Sequence, residues 1–132
     1  MLTPVTTTSV YAVLLALIFL ALSVRAMAGR RRARVFLGEG SSEELRRRLR
    51  AHANFAEYTP LALILMALLE LQGAGAIVLN VIGLLLLLGR LAHAYGLSRI
   101  PEHLPARSIG MGLTMASMVF SCLALLSIAL FG

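Results

Sequence analysis

The chain has 132 residues, 59% of them hydrophobic and only 14% charged, with a mean hydropathy of +0.88; a soluble domain carries about 25% charged residues. A chain so apolar needs lipid around it, and its length leaves room for one small domain, residues 1–132. Its net charge of +6 comes from twelve arginines and six glutamates, with no lysine and no aspartate; beside membrane spans such a surplus sets orientation, so nucleic acid is not an expected partner.

Residues 5–24 are uncharged and number about the 20 that a helix needs to cross the hydrocarbon. They read as a retained first helix, over about residues 5–28, rather than a cleaved leader. No basic residue precedes them, a basic cluster follows, and three more apolar segments come later. Residues 25–50 are polar, with Arg30, Arg31, Arg32, Arg34, Arg46, Arg47, Arg48 and Arg50 flanking Gly38 and Gly40. Ser41 or Ser42, followed by Glu44, is a helix-start signal with acids well placed for the first turn. A second helix is expected over 42–71, kinked at Pro60. The uncharged turn Gln72-Gly73-Ala74-Gly75 leads to a third helix over 75–96. A Pro-containing loop then leads to a fourth over 107–131. The fold class is therefore all-α, an integral membrane four-helix bundle.

The first and third connections, with the helix ends beside them, hold every arginine, and the second holds none. That asymmetry predicts both polar loops in the cytoplasm and both termini outside.

Charge at membrane depth costs about 2.5–3.5 kcal/mol per residue at a helix centre, so polar residues inside the spans carry information. At about 100° per residue, Arg50, Asn54 and Glu57 form one stripe on the second helix, extended by Arg46, with His52 on nearly the opposite face. Arg90 and His93 share a face of the third helix; Tyr95 points away from it. Arg107 opens a face of the fourth helix continued by Met111, Thr114 and Met118, with Ser108 beside it. The spacing predicts that three helices bring Arg50, Asn54, Glu57, Arg90, His93, Arg107 and Ser108 to one depth. One acid there faces four cationic or potentially cationic groups, an imbalance that an anionic ligand completes. A small molecule with carboxylates, one amine and a thiolate fits these donors and acceptors. Taken singly, each arginine is more simply a headgroup anchor. Glu57 has no such account, and an acid inside a span is a functional candidate.

Metal ligation is not expected, because no Cys/His spacing suits it. Neither a Gly-rich phosphate loop nor a hydrolase elbow occurs. Cys122, the single cysteine, reads as packing. Gly110, Thr114, Ser117 and Ser121 form a small-residue stripe suited to close helix packing in lipid, with Gly83, Gly112 and Ala116 adding to it.

The run Arg50-Ala51-His52-Ala53-Asn54-Phe55-Ala56-Glu57, followed by Pro60, resembles the opening of the second helix in the MAPEG family, the membrane-associated proteins of eicosanoid and glutathione metabolism. The likeness is to its small bacterial branch. Arg90-x-x-His93 and Arg107-Ser108 extend the resemblance to the third and fourth helices. It implies a homotrimer in a bacterial inner membrane, with glutathione bound as co-substrate between subunits near the cytoplasmic side. By motif position, Arg50, Asn54, Glu57, Arg90 and His93 resemble the glutathione-holding residues. Arg107 stands in the place of an arginine that stabilises the thiolate, with Ser108 as its active-site neighbour. Ala53 occupies a position where several members carry another arginine, and Leu97 one where some carry tyrosine. The implied activity is a glutathione-dependent transferase or peroxidase acting on lipophilic small molecules that arrive through membrane lipid. A non-catalytic protein of the same fold, binding lipid or an anion, is the alternative.

Overall fold

The structure is a computed structural model describing residues 4–132; residues 1–3 of the expected domain lie outside the described residues. Four helices follow one another: α1 (Thr6–Ala33), α2 (Glu43–Leu71), α3 (Ala76–Ser98) and α4 (Leu104–Phe131). All four are long and apolar enough to cross a membrane. The all-α membrane bundle expected from the sequence is thus the observed architecture. α2 and α3 lie at its centre; α1 packs on both, α4 packs on both, and α1 and α4 do not touch among the described residues.

Three boundaries have visible causes. The Ser42 hydroxyl accepts from the Leu45 N–H at 3.2 Å, with Glu43 and Glu44 in the first turn, so α2 starts where its capping signal lies. α1 runs five residues past its expected end and takes Arg30, Arg31 and Arg32 into its last turn. Those cations suit the negative end of the helix dipole. Its carbonyls are closed by Arg34, left-handed at φ 54°, whose N–H reaches the Arg31 carbonyl while that of Val35 reaches Arg30. α4 begins three residues earlier than expected because the His103 ring accepts from the Ala106 N–H at 3.2 Å and Pro105 suits a first turn. Pro60 sits inside a continuous α2.

The core divides along the bundle. Leu15, Leu22, Phe55, Ala62 and Leu86 pack at mid-depth, and Tyr11, Met66, Leu69, Leu79 and Ile82 pack toward the end without arginines. Glu70 does unexpected work at that second end. Its buried carboxylate accepts from the backbone N–H groups of Thr7 and Thr8, each at 2.7 Å. α1 has no acid in its own first turn, so α2 supplies the negative charge that a helix N-terminus favours.

α3 and α4 approach most closely. A methyl group placed on Gly89 would stand 2.9 Å from the Gly110 carbonyl oxygen and from the Thr114 nitrogen, so only glycine lets the backbones come so near. Gly110, Thr114, Ser117 and Ser121 are buried along this seam, and the Ser117 hydroxyl donates to the Ile82 carbonyl at 3.2 Å. Gly83 joins the packing from α3, beneath the Tyr11 ring, whereas Gly112 faces open space. Cys122 is exposed on the outside of α4.

Candidate functional site

The polar layer has an inner part and an outer part. Arg90 is the centre of the inner part and is only 1% exposed. Its Nη1 donates to the Asn54 side-chain oxygen at 2.9 Å and to the Asn54 carbonyl at 3.3 Å, while its Nε donates to the Thr114 hydroxyl at 3.0 Å. The guanidinium also lies 5.6 Å from the centre of the Tyr58 ring. No salt bridge joins it to an acid among the described residues, and its Nη2 is buried without a partner. Since a guanidinium only donates, Asn54 turns its oxygen toward Arg90. The Asn54 amide –NH2 is then left with no hydrogen bond among the described residues.

His93 is the second inner group. One ring nitrogen, Nδ1, lies 3.0 Å from the Arg107 carbonyl oxygen, and the other, Nε2, is buried without a partner. α3 presents both Arg90 and His93 toward α4 because they are one turn apart on one face.

The outer part is a cavity of about 260 Å³ lined by Glu43, Arg46, Arg47, Arg50, Leu97, Glu102 and Arg107. Arg107 pairs with Glu102 at 2.5 Å, and the same carboxylate lies 3.9 Å from Arg47. Arg47 in turn holds Glu43 at 2.9 Å. Arg46 and Arg50 are exposed and form no ion pair among the described residues. The cavity wall therefore carries four guanidiniums against two carboxylates.

Of the residues expected from the sequence, Asn54 and Arg90 meet directly, His93 meets the Arg107 backbone, and Arg50 and Arg107 share the cavity. Glu57 and Ser108 join neither part within the chain; both are exposed. Glu57 stands three residues beyond Asn54, about 60° round the helix, which turns it off the face that meets α3. It forms no hydrogen bond or ion pair among the described residues. His52 lies 3.0 Å from the Ser23 hydroxyl and stacks on Phe19, so it links α1 and α2 away from the cavity. Tyr95 is exposed, beside Arg99 and His103.

Glu102 is the main participant that the sequence does not single out. It is visible there only as one charge in a proline-bounded loop, and its approach to Arg107 depends on how that loop folds. Thr114 carries a clearer signal, since it sits seven residues after Arg107 on the same face of α4. Tyr58 carries one too, one turn after Asn54.

Fold and site together define a four-span membrane protein with a cationic, hydrogen-bonded polar layer near one end of its bundle. The MAPEG family model matches residues 8–127, and the chain belongs to that family. It is 35% identical over 116 residues to the inner membrane protein YecN of Escherichia coli strain K12, covering 88% of this chain and 87% of that protein. The YecN of an Escherichia coli O6:H1 strain shows the same identity and coverage. Four spans and an inner-membrane relative make this an integral inner-membrane protein.

Proposed function

We propose that this chain binds glutathione at its polar layer and acts as a glutathione-dependent transferase or peroxidase on lipophilic electrophiles. The observation that carries the proposal is the charge imbalance of the cavity, four arginines against Glu43 and Glu102. The unpaired amide of Asn54, one helical turn from Arg50 on α2, adds a neutral donor. Arginines suit the peptide's carboxylates, and the Asn54 amide suits a peptide carbonyl.

Its amine needs an acid, and Glu57 is the exposed acid on that stripe. An acid on the outer face of a span is costly against lipid. We therefore propose that Glu57 faces a second copy, in the homotrimer that the family resemblance implies, with the ligand between copies. The basic loops then lie on the cytoplasmic side and both termini outside.

The chemistry follows from Arg107. A thiol with a free pKa near 8.5 is mostly protonated at neutral pH, and its thiolate is the nucleophile. A guanidinium beside the sulfur favours the charged form, with Ser108 as its neighbour. In conjugation the thiol proton leaves to solvent, the thiolate forms the sulfur–carbon bond, and the leaving group departs from the electrophile. Glu102 holds Arg107 at 2.5 Å, so the incoming anion has to displace a carboxylate already in place.

That same pair favours a second reading, in which the chain binds glutathione or a lipid anion without turnover because Arg107 stays with Glu102. Calorimetric titration with glutathione, wild type beside Glu57→Gln, tests binding. Heat of binding in the wild type and its loss in the variant support the proposal; no heat in the wild type removes it. Thiolate absorbance and conjugation of a chlorinated aromatic, wild type beside Arg107→Ala, separate the two readings. Binding without turnover in the wild type selects the second, and unchanged thiolate in the variant removes Arg107 from its role.

A further inference from the structure

The end of α1 carries a second cationic cavity, which shares no lining residue with the one just described. Arg30, Arg31 and Arg32 form its last turn and Arg34 follows in the left-handed cap. The carbonyls of Arg31 and Arg30 accept from the N–H groups of Arg34 and Val35, so backbone groups rather than these side chains cap them. Arg30 Nη1 donates to the Gly38 carbonyl at 2.8 Å, which folds the loop back beside the helix end. Between them lies a cavity of about 280 Å³ lined by Arg30, Arg31, Arg34, Val35 and Phe36.

No acid among the described residues pairs with the arginines that line it. Arg31 and Arg34 form no ion pair or side-chain hydrogen bond among the described residues. Glu44 lies 3.6 Å from Arg32 and is held by Arg48 at 2.5 Å, and Glu39, in the loop itself, forms no ion pair among the described residues. Phe36 and Leu37, in the same loop, are 97% and 91% exposed. Two large apolar side chains fully in water beside unpaired cations suit an interface that is charged on one side and apolar on the other.

Position favours lipid over a soluble partner. Val24 is the last residue of the uncharged run of α1, so at about 1.5 Å per residue Arg30 and Arg31 begin only about 10 Å beyond it. Side chains on a helix lean toward its N-terminus. The N-terminus of α1 lies across the membrane, so these arginines lean back toward the headgroups, whereas those opening α2 lean away.

We propose that the end of α1 and the loop after it form a binding site for an acidic phospholipid. Arg30, Arg31 and Arg34 hold the phosphate, and Phe36 and Leu37 sit at the acyl boundary. The site is independent of glutathione binding, and clusters of basic residues just outside a span act on anionic lipid in this way.

The test is native mass spectrometry of the detergent-purified full chain, titrated with phosphatidylglycerol or with phosphatidylcholine. The wild type should retain phosphatidylglycerol preferentially. Arg30→Gln, Arg31→Gln and Arg34→Gln together should weaken that retention on the order of 100-fold. The pair Arg31→Gln and Arg34→Gln, which keeps the loop bond of Arg30, should weaken it about 30-fold. Phe36→Ser with Leu37→Ser should lower retention while leaving the preference for the acidic headgroup. Equal retention of both lipids by the wild type, or unchanged phosphatidylglycerol binding in the Arg31/Arg34 pair, would overturn the proposal. Displacement of the lipid by millimolar inorganic phosphate, with the Phe36/Leu37 variant behaving as wild type, would also overturn it, because the site would then be one for free phosphate.

Discussion

Two arginines one bundle layer apart have opposite fates. Arg90 is enclosed by α2, α3 and α4 and spends three of its hydrogen bonds on Asn54 and Thr114. Arg50, on the same stripe as Asn54, is exposed and unpaired among the described residues. The inner arginine shapes the protein and the outer one is available to something else. Burial without an acid is tolerable for Arg90 because its Nε and Nη1 meet polar oxygens and its face lies near the Tyr58 ring. Arg50 and Glu57 have no partner among the described residues, and both are exposed.

The difference can be broken from the inside first. Arg90→Ala removes a fully buried side chain and its hydrogen bonds from Asn54 and Thr114. It should cost on the order of 3 kcal/mol, read as a clear drop in melting temperature in detergent. Arg50→Ala should leave the melting temperature nearly unchanged and weaken glutathione binding by about 10- to 100-fold, the worth of one charge-assisted hydrogen bond. If Arg50→Ala destabilises the chain as much as Arg90→Ala, the division into inner and outer parts is wrong.

The end without arginines offers a contrast of the same kind. Glu70 is buried like Arg90, and its partners are backbone N–H groups of another helix. Glu70→Ala should lower stability by about 1–2 kcal/mol, the range of a lost helix cap, with glutathione binding intact. A melting temperature equal to that of the wild type would show that the cap contributes nothing.

The smallest expected effect falls on Glu102. Removing its charge by Glu102→Gln frees Arg107 and should raise glutathione affinity a few-fold, because a half-exposed ion pair is worth about 1 kcal/mol or less. Weaker binding in the variant would instead make Glu102 part of the ligand's own shell.

The spans, the α2 start and the α3–α4 seam were legible because each depends on local signals: an apolar run, a serine before two glutamates, small residues about a turn apart. Periodicity also placed Asn54, Arg90 and His93 on the right faces. It could not place Glu57 relative to Asn54 finely enough, since about 60° of rotation separates the helix–helix seam from the outside. Nor could it find Glu102 or Glu70, whose partners lie in a loop and at the far end of the chain, where only the tertiary fold decides the pairing. The sequence pattern closes α1 near residue 28, since a run of arginines resembles a loop in sequence. In the structure those arginines sit in the last turn, where the helix dipole favours them.

The central claim is that Arg90 fixes the Asn54 amide so that its –NH2 serves the ligand. Asn54→Asp tests it directly, because the acid keeps an oxygen toward Arg90 while replacing the free donor with an acceptor. A variant that melts at or above the wild-type temperature yet shows no calorimetric heat with glutathione is the predicted result. A variant that binds glutathione as the wild type does would contradict the claim.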